Sequence, residues 1–350
     1  MIETYLQISR QVKASDLHIT FGLAPVIRVK GLLQTISDER LGDAEIDAML
    51  DSILTDKEKE HFAQGNDVDT AFSDADNLRY RVNAYRQKDH AAMAIRLLSD
   101  HIPTLDSLGL PKVMKDLCNL PRGLNIVTGP TGSGKSTSLA AMIDYINTNK
   151  KLHILTMEDP IEYIHEHKSC MINQREIGKD SKDYNAALKS ALREDPDVIL
   201  VGELRDFETI SLATTAAETG HLVFATLHTR GAAQTIDRMV DVFPPHQQEQ
   251  IRTQLANCLK SVMSQQLLPR KDETGRIAAF EIMVVNDAIA NLVRENKSYQ
   301  IQTVMQTSHA SGMITLDAYL AELVQAGEIT LEVALEKCNS KDSFRRFTRG

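Results

Sequence analysis

The chain has 350 residues, with 39 Lys+Arg against 48 Asp+Glu and a net charge of −9. At roughly 100–200 residues per domain that length implies two domains, and an apolar fraction of 42% with 25% charged residues excludes a mostly disordered or collagen-like chain. The acidic balance argues against broad binding to nucleic acid. No apolar run reaches the roughly 18–20 residues of a membrane span. The mixed opening MIETYLQISRQVKASD lacks the apolar core of a signal peptide, so a soluble cytoplasmic protein is expected.

Residues 3–14 read as a helix, and DLHIT (16–20) and PVIRVKG (25–31) as strands around the turn FGLAP. Residues 43–64 carry Ile46, Met49, Leu50, Ile53 and Leu54 on one stripe, which predicts a single amphipathic helix. VDTAFS (68–73), LRYRVNAYRQ (78–87) and AAMAIRLL (91–98) follow as strands, giving an α+β domain over 1–100 with a sheet of about five strands. Residues 101–122, rich in proline, form an interdomain linker around one short helix. Strand–helix alternation then begins. The apolar runs GLNIVTG (123–129), LHILTM (152–157), DVILVG (197–202), HLVFATL (221–227) and IAAFEIMVV (277–285) predict a largely parallel sheet with crossover helices over 123–285. Residues 286–350 read as a helical C-terminal region. Cys118, Cys170, Cys258 and Cys338 stand far apart with no C-x-x-C pair, which predicts reduced thiols and excludes a tetracysteine zinc site.

GPTGSGKS (129–136) fits G-x-x-x-x-G-K-[ST] between an expected strand and an expected helix. Gly129, Gly132 and Gly134 allow the backbone to curl so that its amides point at phosphate oxygens, and the next helix presents its N-terminus to them. Lys135 supplies charge to the β- and γ-phosphates, and the Ser136 hydroxyl can ligate Mg²⁺. Thr131, Ser133 and Thr137 complete the expected ATP site.

Three further segments carry chemistry. ILTMEDPIEY (154–163) ends a strand and presents Glu158, Asp159 and Glu162 at the carboxyl edge of the sheet, where one carboxylate can orient Mg²⁺ and another the attacking water. DVILVGELRD (197–206) looks like a Walker B strand, except that Gly202 stands where Asp is usual and Glu203 follows. AETGHLVFATLHT (217–229) places His221 and His228 at the two ends of an apolar strand, where a histidine is more often structural than catalytic.

With ASDLHIT, RYRVNAYRQ, GPTGSGKST, MEDPIEY, NQREIG, ALREDPDVILVGELRD, AETGHLVFATLHT and TIDRMVDVFP in this order, the sequence resembles the PilT family of type IV pilus retraction ATPases, within the secretion ATPase superfamily. The resemblance implies an α/β fold. A RecA-like P-loop ATPase domain with a mostly parallel sheet would follow a PAS-like α+β N-terminal domain and precede a helical C-terminal extension. It implies that Glu162 is the general base, that Glu203 supports Mg²⁺ with Ser136, and that His228 senses the γ-phosphate with His221 in support. It implies that Arg81 and Arg96 reach the nucleotide from the N-terminal domain. Without it, both arginines read as solvated strand faces. A homohexamer with ATP between the domains is implied too, at the cytoplasmic face of the inner membrane. The implied partner is the platform protein of the pilus machine, with a paralogous retraction ATPase as a second one. The retraction motif AIRNLIRE departs here to AIANLVRE (288–295), with Ala290 and Val293, which touches partner coupling rather than hydrolysis.

An accessory PilU-type retraction ATPase fits the same motifs. A pilus-assembly or type II secretion ATPase would carry an extra N-terminal domain and a tetracysteine metal motif. A DNA-translocating RecA-like hexamer is disfavoured by the charge and by the lack of a DNA-binding module. A scaffold that binds nucleotide without hydrolysis is disfavoured by the presence of both glutamates.

Overall fold

A computed structural model describes residues 1–76, 78–98 and 101–348. The chain forms two units: Met1–His101 with Pro160–Tyr163, and Ile102–Asp159 with Ile164–Gly350. The expected domain boundary at residue 100 falls on residues 99–100, outside the described residues.

The first unit runs α1 (Ile2–Gln11), β1 (Asp16–Thr20), β2 (Val26–Val29), β3 (Leu32–Thr35), α2 (Asp43–Ile53), α3 (Asp56–Ala63), β4 (Val68–Ser73), β5 (Arg79–Gln87) and β6 (His90–Leu97). Its strands form one antiparallel sheet in the order β3-β2-β1-β6-β5-β4. Alternation decides which face is buried: Tyr80, Val82 and Ala84 of β5 are fully buried, with Leu17, Ile19, Met93 and Ile95. α2 lays Ile46, Met49, Leu50 and Ile53 into the same core.

This sheet has six strands where five were expected. The sixth, β3, is exposed at all of its positions and is joined to β2 through the main chain, so no hydrophobic pattern marks it. The expected single helix over 43–64 is two helices. The break is a capping box: the Thr55 hydroxyl accepts the Glu58 amide, and the Glu58 carboxylate accepts the Thr55 amide at 2.8 Å. Thr55→Ala should cost this unit about 1 kcal/mol; a urea midpoint that stays put would show that the cap contributes nothing.

The second unit contains α4 (Val113–Cys118), β7 (Gly123–Thr128), α5 (Lys135–Asn149), β8 (His153–Glu158), β9 (Met171–Glu176), α6 (Tyr184–Ala191), β10 (Val198–Val201), α7 (Phe207–Glu218), β11 (Leu222–Leu227), α8 (Ala232–Asp241), α9 (Gln248–Cys258), β12 (Leu259–Pro269) and β13 (Arg276–Val284). Then come α10 (Asp287–Arg294), α11 (Ile301–Gln306), α12 (Leu316–Gln325), α13 (Leu331–Lys337) and α14 (Lys341–Thr348). The sheet order is β13-β12-β7-β11-β10-β8-β9. All neighbours are parallel except β12 and β13. β7, β10 and β11 are buried at every position, as strands covered by helices on both faces must be.

Two strands of this sheet, β9 and β12, lie outside the expected set. β9 reads MINQRE and β12 reads LKSVMSQQLLP, so polar residues break up the apolar run that marks the others. In the C-terminal region, α10 buries Ile289 and Val293, while Ala290 lies at the flank of the same cluster. α14 buries Phe344. Cys118, Cys170 and Cys258 are buried and none of the four cysteines forms a disulfide; burial pushes the Cys118 and Cys258 thiols up to about 12, which leaves them inert. No helix among the described residues is long and apolar enough to cross a membrane.

Candidate active site at the carboxyl edge of the parallel sheet

Parallel pairing delivers four loops to one edge. Register sets Thr128 beside Leu227, Val201 beside Ala225, and Val201 beside Met157. The segments that follow β7, β11, β10 and β8 therefore emerge together, as ligand-binding loops do in open α/β sheets.

After β7 the chain turns through Gly129 at φ 142° and Gly134 at φ 87° into α5. A Cβ on Gly129 would stand 2.2 Å from the Gln265 carbonyl oxygen, so both the backbone angle and the space demand glycine. Gln265 of β12 is a support that motif reading missed. Its side-chain Oε1 accepts the Ser138 hydroxyl at 2.9 Å, and its carbonyl backs the loop. Only the pairing of β12 with β7 brings it there.

Lys135 is buried, and its ammonium donates to the Gly129 carbonyl at 2.8 Å and the Pro130 carbonyl at 3.2 Å. Thr131, Gly132 and Ser136 are exposed, and the buried Ser133 hydroxyl has no hydrogen-bond partner. A loop of exposed residues with a buried ammonium and an unused hydroxyl fits a polyphosphate.

Lys135 leads to the other loops. Its Nζ stands 3.5 Å from Nδ1 of His228, and Nε2 of His228 stands 3.3 Å from Oε1 of Glu203. An ammonium can only donate, so Nδ1 accepts and the tautomer protonated on Nε2 satisfies both contacts. Arg205 donates from Nε at 2.9 Å to the other carboxylate oxygen of Glu203, and reaches Asp159 at 3.9 Å. The hydrogen bond to Glu203 holds the Arg205 guanidinium above its usual range.

The glycine in the Walker B strand has a steric cause. A Cβ on residue 202 would meet the Tyr184 hydroxyl at 2.8 Å and the Met157 carbonyl at 3.0 Å. The Gly202 amide donates to that carbonyl at 2.7 Å, locking β10 to β8 one step before Glu203. Tyr184, on α6, was not among the expected residues. Burial raises its phenol, and the Asp159 charge adds to this, so it stays protonated among the carboxylates.

The remaining candidates lie elsewhere. His221 stands before β11, at the opposite end of the strand from His228, about 23 Å away at a rise near 3.3 Å per residue. Its Nδ1 lies 2.9 Å from the Ala216 carbonyl. Glu162 lies in Pro160–Tyr163, the four residues that count with the first unit. There the Ile161 carbonyl accepts from Arg79 Nε at 2.8 Å. Arg81 and Arg96 sit opposite each other in the β5–β6 ladder. Each has a carboxylate in its own sheet, Asp69 at 2.6 Å and Asp16 at 3.1 Å respectively. No group of three His, Cys, Asp or Glu side chains among the described residues could hold a metal ion by itself.

A family profile described as Type II/IV secretion system protein matches residues 2–334. A type IV pilus retraction ATPase, PilT, of Pseudomonas aeruginosa is 48% identical over 343 residues, spanning 98% of this chain and 99% of that protein. A twitching motility protein of Neisseria gonorrhoeae is 47% identical over 333 residues, 95% of this chain and 89% of its own length. Among solved structures, the pilus retraction motor PilT with bound ADP superposes with a TM-score of 0.92 at 44% identity, covering 98% of both chains. The mixed α/β arrangement of that secretion ATPase is the one found here.

Proposed function

The chain belongs to the Type II/IV secretion system protein family and is an ATPase, and on that premise we propose that it is a hexameric motor coupling ATP hydrolysis to retraction of a type IV pilus. The observation that carries this reading is the Lys135–His228–Glu203 chain at the sheet edge, in a sequence that aligns from end to end with a retraction ATPase. In this reading residues 123–285 are a RecA-like ATPase core, residues 1–100 a PAS-like domain, 101–122 the linker and 286–350 a helical extension.

Gly129–Thr137 bind the ATP phosphates, with Lys135 moving from the loop carbonyls onto the β- and γ-oxygens. Ser136 and Glu203 would hold Mg²⁺ together with phosphate oxygens, and the ion would neutralise phosphate charge during transfer. His228, bridging Lys135 and Glu203, reports the γ-phosphate to both. Glu162 takes the proton of the attacking water. Arg81 and Arg96 leave their aspartates to reach a nucleotide, a modest loss because exposed ion pairs are worth only about 0–1 kcal/mol. His221 serves from a distance as a support of the β11 strand. The protein would act in the cytoplasm against the membrane platform protein of the pilus machine, alone or with a paralogue.

The reading is tested by deleting the gene and counting surface pili. Excess pili that do not shorten are expected. Bald cells would instead make the protein an assembly motor.

A further inference from the structure

NQREIG (173–178) stands among the motifs of the sequence, yet the ATPase chemistry above gives it no part. In the structure Gln174 of β9 lies opposite Thr156 of β8 in the ladder. Two of the bonds its amide makes are unlike. Oε1 accepts the backbone N–H of His165 at 2.7 Å, and Nε2 donates to Oε1 of Glu158 at 3.2 Å. The same Glu158 oxygen accepts the Thr156 hydroxyl at 2.7 Å. Glu158 is the last residue of β8, and His165 lies just past the carboxylate-bearing segment that holds Asp159 and Glu162. One side chain therefore ties both ends of that segment together.

The exit end is anchored further. Asn147 of α5 donates to the Glu166 carbonyl at 2.7 Å and accepts the Lys168 amide at 3.2 Å, while the Lys168 ammonium binds Asp144 at 2.7 Å. The His165 ring is buried, and burial brings it down to about 4, so it does not compete with Lys168 for Asp144 at neutral pH. α5 is the helix that begins at Lys135. The phosphate loop and the residues that flank the acidic segment thus share one frame, and Gln174 joins the entry of that segment to its exit.

We propose that Gln174 is a positioning residue for ATP hydrolysis, fixing where the carboxylates between Glu158 and His165 stand. The proposal rests on the reading that this segment orients or deprotonates the attacking water. An amide is required because a donor must face a carboxylate while an acceptor faces an N–H; leucine offers neither, and a glutamate would set a second carboxylate against Glu158.

The test uses the full chain with Gln174→Leu, Gln174→Glu and Glu162→Gln. Steady-state ATP turnover, melting temperature and hydrogen exchange over residues 159–170 are measured for each. Both Gln174 variants should lose about 10- to 100-fold in kcat, the scale of an ångström-sized misplacement. KM for ATP should stay within about twofold, since the phosphate loop is untouched. The His165 amide should exchange faster while the melting temperature holds. If kcat stays at the wild-type value while Glu162→Gln is inactive, the positioning role is overturned and the acidic segment keeps its own. If kcat, KM and melting temperature all move together, or if His165 keeps its protection, Gln174 is a structural residue only. If Glu162→Gln turns over normally, the reading of the segment falls, and the proposal falls with it.

Discussion

Lys135→Ala should reduce ATP turnover by about 10²–10³-fold or more, the scale on which removing one preorganised donor from developing charge is felt. The structure shows why an ammonium suits this position. The ammonium is buried, and it is held by the Gly129 and Pro130 carbonyls beside His228, so it waits where phosphate charge arrives. A surface lysine would have to be drawn in and ordered at each turnover. The competing account is that Lys135 only pins the loop by binding its carbonyls. Lys135→Arg separates the two, because a guanidinium keeps the charge and the donors but does not fit the same point position. Both variants should fold, and both should bind a fluorescent nucleotide weakly; turnover within twofold of wild type in Lys135→Ala would remove the phosphate loop from catalysis. The same variant tests the arginines. Mixed with Arg81→Ala, it should regain part of the activity if Arg81 serves a neighbouring subunit's nucleotide, and none if the arginine acts within its own chain.

The phosphate loop was legible because its constraints are local. A strand, three glycines, a lysine and a helix start lie within a few turns of chain, and each has its own cause. Glu203 and His228 were legible as strand ends, because a wholly apolar run that stops at a charged residue marks the carboxyl edge of a buried parallel strand. Gln265, Tyr184 and Gln174 were not legible. Each acts across a pairing that joins distant positions: β12 against β7, α6 against Gly202, β9 against β8. Two of the three sit on or beside strands whose polar residues hide the strand itself. Polar residues such as Gln174 and Gln265 interrupt the apolar runs of β9 and β12, which made both strands invisible. The split of 43–64 was a different failure. The Thr55–Glu58 box was present in the sequence, but the apolar stripe on either side of it outweighed the signal. His221 and His228 stand at opposite ends of β11, as the apolar run between them implies.

Glu162→Gln should retain nucleotide binding and lose about 10²–10⁴-fold in turnover, the usual worth of general-base assistance. Four carboxylates compete for the role, and their surroundings separate them. Glu158 is fastened at one oxygen by Thr156 and Gln174. A carboxylate held in place by two donors suits a fixed element of the site better than a group that must turn to a water. Asp159 is exposed and faces the Arg205 guanidinium at 3.9 Å, a contact that would have to break before it could turn to a water. Glu203 is engaged by both Arg205 and His228 and is better placed to hold Mg²⁺ through its surroundings. Glu162 alone stands on the segment that counts with the first unit. If Glu162 is the base, hydrolysis would be coupled to the position of that unit, as a motor requires. The expected ranking is a loss of turnover for Glu162→Gln with binding intact, a loss with steeper Mg²⁺ dependence for Glu203→Gln, and a smaller loss for Glu158→Gln. If Glu158→Gln is inactive and Glu162→Gln is not, the base is the fastened carboxylate at the end of β8, and hydrolysis does not wait on the N-terminal unit.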